Sequence, residues 1–102
     1  MEVTEVKKDN FEKEIIQSSQ TVLVDFWASW CAPCRMLAPT VESFAEAHDD
    51  IKVCKINIDE ENELAVRYKV MSIPTLVVFK NGEPVNKSVG VISAEEIEQL
   101  VK

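Results

Sequence analysis

Glycine is nearly missing from this chain. Only Gly82 and Gly90 occur in 102 residues, which leaves no room for flexible linkers or glycine-rich low-complexity stretches. Long hydrophobic runs are also missing: none approaches the roughly 20 apolar residues that cross a bilayer as a helix. The opening residues Met1-Glu2-Val3-Thr4-Glu5-Val6-Lys7-Lys8 lack the apolar core of a signal peptide, so a cytoplasmic location is expected. No basic run exists. Eleven Lys and Arg against 18 Asp and Glu leave a net charge of -7, which argues against nucleic acid and anionic membrane surfaces as partners. No internal repeat is present.

What remains is enough for one folded unit. With 46% hydrophobic residues, a chain of this length buries a core without staples, and residues 1–102 are expected to form a single domain. Strand and helix signals alternate. Glu2 to Val6 reads as a short strand. Asp9 with Glu12 has capping-box spacing and opens a helix carrying Phe11, Ile15 and Ile16 on one stripe. Val22 to Trp27 is an apolar run of the kind buried on both faces of a parallel sheet. Cys31 to His48 reads as a helix interrupted at Pro39. Ile51 to Ile58 is a second core strand, and Asp59 is placed to cap a helix ending near Tyr68. Thr75 to Phe79 is a third core strand. Asn81-Gly82 is a hairpin turn that sends the next strand back antiparallel. Ser93 with Glu96 is a second capping box, opening a last helix with Ile97, Leu100 and Val101 inward.

The order is therefore β-α-β-α-β-α-β-β-α, an α/β fold with a mixed five-stranded sheet flanked by four helices. In such sheets the working edge lies beyond the carboxyl ends of the parallel strands. The segment Trp30-Cys31-Ala32-Pro33-Cys34 falls at that edge, directly after the first core strand. Cysteines three apart share one helical face. This spacing puts Cys31 at an exposed first turn and Cys34 one turn inside. Unpaired amides and the helix dipole favour a thiolate there, so the Cys31 pKa is expected below that of a free cysteine. Pro33, lacking an amide donor, is tolerated in a first turn. These residues suit dithiol–disulfide exchange, with Cys31 attacking and Cys34 resolving. They also suit an inert core pair, or part of a zinc site shared with His48 and Cys54. Cys54, alternating with apolar neighbours, reads as a small core residue, and His48 as a cation near a helix C-terminus. Asp25, inside an apolar strand, reads either as a strand-end carboxylate reaching water or as a buried proton acceptor with a raised pKa.

The succession Trp27-Ala28-Ser29-Trp30-Cys31-Ala32-Pro33-Cys34-Arg35-Met36, Pro39, Ile73-Pro74-Thr75-Leu76 and Phe79-Lys80-Asn81-Gly82 resembles the thioredoxin family over nearly the whole chain. The resemblance implies the thioredoxin fold and a protein-disulfide reductase. No cofactor would be bound. Electrons would come from a thioredoxin reductase, linked to NADPH or ferredoxin, and pass to oxidised client proteins from a monomer. It implies that Asp25 is the buried base for Cys34, with Lys55 beside it. Pro74 would be cis, although X-Pro bonds are usually trans. Its ring would pack opposite the cysteines and exclude metal, and the Ile73 backbone would pair with extended substrate. Trp30, Ala32, Pro33 and Gly90 would line the contact surface, and Trp27 would report the redox state. The absence of a histidine between the cysteines favours a reductant over oxidant and isomerase relatives. Three positions depart from the family pattern: Ala32 replaces the usual glycine between the cysteines, and Lys69 and Ser72 stand where glycines are common. These bear on reductase and client choice rather than on reaction class.

Overall fold

The computed structural model describes residues 2–102. Its elements run β1 (Thr4–Glu5), α1 (Lys8–Phe11, continuing as a π-helical turn over Glu12–Ile16), β2 (Thr21–Trp27), α2 (Ala32–Ala47), β3 (Ile51–Asn57), α3 (Asn62–Arg67), β4 (Thr75–Lys80), β5 (Glu83–Val89) and α4 (Ala94–Val101). The strands form one mixed sheet in the order β1-β3-β2-β4-β5. β2 pairs parallel with β3 and antiparallel with β4, so the strand leading to the cysteines is central.

Alternation along each strand sorts side chains between two core layers. Val22, Val24 and Phe26 of β2 join Cys54 and Ile56 of β3 under Phe11, Ile15 and Leu64, which come from α1, its π turn and α3. Leu23 joins Val53, Leu76 and Val78 under Leu37, Val41 and Phe44 of α2 and Ile97 of α4. Asp25 is two residues beyond Leu23 and so shares the face covered by α2. Burial of β2 on both sides explains its near-continuous apolar sequence.

Local signals fared unevenly. Ser93 does cap α4, accepting from the Glu96 amide at 3.2 Å while the Glu96 carboxylate accepts from the Ser93 amide at 3.0 Å. The first capping box does not form at Asp9: Lys7 is the N-cap of α1 and its side chain, a donor only, caps nothing, while Asn10 Oδ1 accepts from the Lys7 amide at 2.7 Å. A shorter side chain than Glu12 closes that ring. Asp59 does not cap α3, whose N-cap is Glu61. Strand β1 is shorter than Glu2 to Val6, because only Thr4 and Glu5 pair with β3. Helix α2 continues through Pro39, which costs one amide donor without ending the helix.

The β4–β5 turn has φ of 54° at Asn81 and 80° at Gly82, the two left-handed residues of a type I′ hairpin. A Cβ at Gly82 would lie 2.8 Å from the Ile16 carbonyl oxygen. Gly82→Ala is therefore expected to destabilise the fold by more than about 1 kcal/mol, lowering the urea midpoint with little change in slope. An unchanged midpoint would contradict this account. Lys69 also has positive φ, 57°, and its carbonyl accepts from Lys87 Nζ at 3.0 Å.

Candidate functional site

The site is built where β2 ends and α2 begins. After Trp27 the chain makes a tight turn, closed by the Cys31 amide donating to the Ala28 carbonyl at 3.2 Å. Cys31 is the N-cap of α2, with extended backbone (φ -92°, ψ 109°). Its Sγ accepts from the Cys34 amide at 3.2 Å, occupying one of the donors that a helix start leaves unpaired. No acidic residue stands in the first turn of α2, so no carboxylate there competes for the positive end of the helix. Pro33 is the second helical residue, where its missing amide costs nothing.

Cys31 and Cys34 are joined as a disulfide, with Cα atoms 5.3 Å apart. Cys31 is not exposed as its position in a first turn suggested: it is 5% accessible, against 3% for Cys34. Its sulfur is bonded to Cys34, and side chains from other segments cover it. Ala28, Trp27 and Ile73 pack around the pair. Cys31 Sγ lies 3.8 Å from the Ile73 carbonyl oxygen. The Ile73-Pro74 bond is cis, and Pro74 is buried at the start of β4. Its carbonyl accepts from the Gly90 amide at 2.8 Å, and Gly90 has φ of 96°. The Ser72 carbonyl accepts from Thr75 Oγ1. The segment 72–74 is thus fastened at both ends across from the sulfurs.

Behind the pair lies a cavity of about 120 Å³ whose lining includes Asp25, Trp27, Cys34, Glu42 and Lys55. Asp25 is buried, and its Oδ1 has no hydrogen-bond partner in the protein. Burial pushes its pKa up from 3.8 to about 7, and the Lys55 ammonium pulls the other way. Asp25 and Lys55 face each other on adjacent parallel strands. Lys55 Nζ sits 5.4 Å from the centre of the Trp27 ring, a cation–π distance.

Trp30 is 65% exposed. Its indole Nε1 donates to Asp59 Oδ2 at 2.8 Å, and the Asp59 amide donates to Asn57 Oδ1 at 2.9 Å. This bond is where Asp59 is used instead of at the α3 cap. Ala32 and Pro33 are exposed beside Trp30. Arg35, assigned no role from sequence, donates from Nη1 to the Ser29 carbonyl at 2.8 Å. Its partner is a backbone oxygen six residues back, which no side-chain pattern announces.

The alternative zinc ligands are not brought together. Cys54 belongs to the core layer under α1 and α3, and burial pushes its thiol up to about 12. His48 ends α2, stacked on Phe44 with ring centres 4.0 Å apart and Nε2 3.4 Å from Glu98 Oε1. Among the described residues, no three His, Cys, Asp or Glu side chains form a metal-binding group. None of the described helices is long and apolar enough to cross a membrane.

A disulfide-forming pair at the first turn of a helix, at the edge of a mixed five-stranded α/β sheet, defines a thiol–disulfide oxidoreductase. Residues 2–102 match the thioredoxin family model. Curated thioredoxins align over most of their length. One from Alicyclobacillus acidocaldarius is 51% identical over 90 residues, covering 87% of this chain and 85% of its own. One from Porphyra purpurea is 44% identical over 102 residues, covering 99% and 95%. One from Staphylococcus saprophyticus is 43% identical over 103 residues, covering 100% and 97%. The chain belongs to the thioredoxin family.

Proposed function

We propose that this protein is a one-domain, cytoplasmic, monomeric carrier that reduces disulfides of client proteins. The observation that carries the reading is the covered pair Cys31–Cys34 set between the Ile73 carbonyl and the buried Asp25. In the first step the Cys31 thiolate attacks one client sulfur. A Cys31–client bond forms, the client disulfide breaks, and the displaced sulfur leaves as a thiolate. In the second step Cys34 gives its proton to Asp25 and attacks Cys31. The Cys31–Cys34 bond forms and the second client sulfur leaves reduced. Lys55 balances the charge of Asp25 when it is ionised. Ile73 and Pro74, with Gly90 behind them, offer an extended backbone edge to the client. Trp30, Ala32 and Pro33 complete the contact surface. A thioredoxin reductase, linked to NADPH or ferredoxin, returns two electrons to the pair, and no cofactor is bound by this chain.

Titration in dithiol redox buffers, followed by tryptophan fluorescence, tests the direction of the chemistry. The expected result is one two-electron transition at about -270 mV, the potential of thioredoxins as a class. A midpoint near about -180 mV or above would instead mark an oxidant or isomerase.

A further inference from the structure

The peptide group between Ser29 and Trp30 hangs on the outside of the β2–α2 turn. Ser29 and Trp30 are both exposed, so packing alone does not fix their orientation. Two bonds do. At the indole end, Asp59 accepts from Trp30 Nε1. At the backbone end, the Ser29 carbonyl accepts from Arg35 Nη1 at 2.8 Å. Arg35 is itself anchored: its amide donates to the Cys31 carbonyl at 3.2 Å, and it belongs to the same helical turn as Cys34. Its side chain reaches back over the turn, from the helix that carries the sulfurs to the peptide that carries the aromatic ring.

We propose that Arg35 is a positioning residue that holds the Trp30 ring in place as a preorganised docking platform for folded clients. The inference rests on the reading that clients dock against Trp30. Ordering a mobile side chain on binding costs affinity, and a ring held at its indole nitrogen by Asp59, on a backbone held by Arg35, avoids part of that cost. Arg suits the task because its planar fork directs N–H donors at a fixed angle, whereas Lys is a point charge on a flexible stem. Arg35 borders the cavity that Cys34 and Asp25 line, but its side-chain hydrogen bond goes to the Ser29 carbonyl and not to a sulfur. Its loss should therefore be felt by a protein disulfide, which must meet the platform, and not by a small disulfide, which needs only the sulfur.

The test compares Arg35→Lys, Arg35→Met and Trp30→Ala with the wild type. Each is assayed on insulin and on a small uncharged disulfide, hydroxyethyl disulfide, with thermal midpoints recorded alongside. Arg35→Lys keeps the charge and loses the fork. It is expected to slow insulin reduction by about fivefold, the scale of one hydrogen bond, while the small-disulfide rate stays within twofold. Arg35→Met should do the same to the ratio of the two rates. Acrylamide quenching of Trp30 fluorescence, in a Trp27→Phe background, should rise in both variants as the ring becomes mobile. An insulin-to-small-disulfide ratio within twofold of wild type in both Arg35 variants would overturn the proposal, as would unchanged quenching. If Trp30→Ala also leaves the ratio unchanged, the docking reading fails with it. If Trp30→Ala lowers the ratio and the Arg35 variants do not, the positioning role alone fails. The two rates are compared as a ratio within one variant, and the thermal midpoints show that each variant is folded at the assay temperature, so a general loss of folded protein does not imitate the result.

Discussion

Cys34→Ser is expected to accumulate a Cys31–client mixed disulfide that persists until dithiol is added. Turnover with insulin should fall on the order of 100-fold or more, as happens when one member of a concerted unit is removed. The reason is the electron pair that breaks the Cys31–client bond. In the wild type the Cys34 thiolate supplies that pair to Cys31 Sγ and the client sulfur leaves with the pair of the broken bond; the Cys34 amide already donates to Cys31 Sγ at 3.2 Å. A serine hydroxyl in the same place is not a thiolate equivalent at neutral pH. No other sulfur substitutes: Cys54 is fully buried in the layer on the far face of the sheet, with its thiol pushed up to about 12. Non-reducing gels read the adduct directly, and mass spectrometry assigns it to Cys31. An adduct on Cys54, or turnover close to wild type, would remove the two-step scheme.

Asp25→Asn is expected to have two large effects of opposite sign. Resolution of the mixed disulfide should slow by at least about tenfold near neutral pH, since a positioned base contributes about 10² to 10⁴ in proton transfer. In the wild type the resolving step should rise as pH passes through about 7, where Asp25 ionises. In the variant that inflection should be gone, while the first attack by Cys31 is unaffected. Stability should move the other way. The folded pKa of Asp25, about 7, lies above the ordinary 3.8. Below about pH 4 the group is protonated in both states and costs nothing. As pH rises towards 7 the unfolded chain ionises first, so the folded state loses ground, and above 7 the loss is complete. The gap corresponds to at most roughly 4 kcal/mol. Asp25→Asn should therefore raise the urea midpoint at pH 8 and leave it nearly unchanged at pH 4. Equal midpoints at pH 8 would mean that Asp25 is not held at this cost.

Element types and their order were legible because each carried a redundant signal. β2 was apolar throughout, the hairpin had Asn81-Gly82, and α4 had the Ser93–Glu96 box. The sulfur pair was legible for the same reason: spacing, a preceding strand and Pro33 all agreed. Errors gathered where one short polar side chain had several backbone groups in reach. Asp9 and Asp59 both have the spacing of caps, whereas Lys7 and Glu61 hold those positions. Asp59 lies 29 residues from the indole it accepts from, and local spacing carries no trace of such a bond. The π turn over Glu12–Ile16 was equally hidden, because apolar residues at 11, 15 and 16 fit an ordinary helix. The covering of Cys31 depends on Ile73, 42 residues away, whose carbonyl lies 3.8 Å from the sulfur, and local spacing does not announce that contact. Asp25 was ambiguous until the sheet placed it two residues past Leu23, on the face beneath α2.

The two walls of the sulfur groove issue from neighbouring strands. The Cys31 turn follows the end of β2, and Ile73-Pro74 precedes the start of β4, with Phe26 and Thr75 paired directly across the ladder. Both walls adjoin strands at the centre of the sheet, so the sheet sets the spacing of the groove. Adaptation then falls to the other molecule. If clients pair with residues 72–74 as proposed, a disulfide would enter when its own chain loosens enough to lie along that segment. On the proposed function, substrate choice would then become a reading of mechanical weakness, favouring disulfides whose surroundings yield over those held in rigid frames.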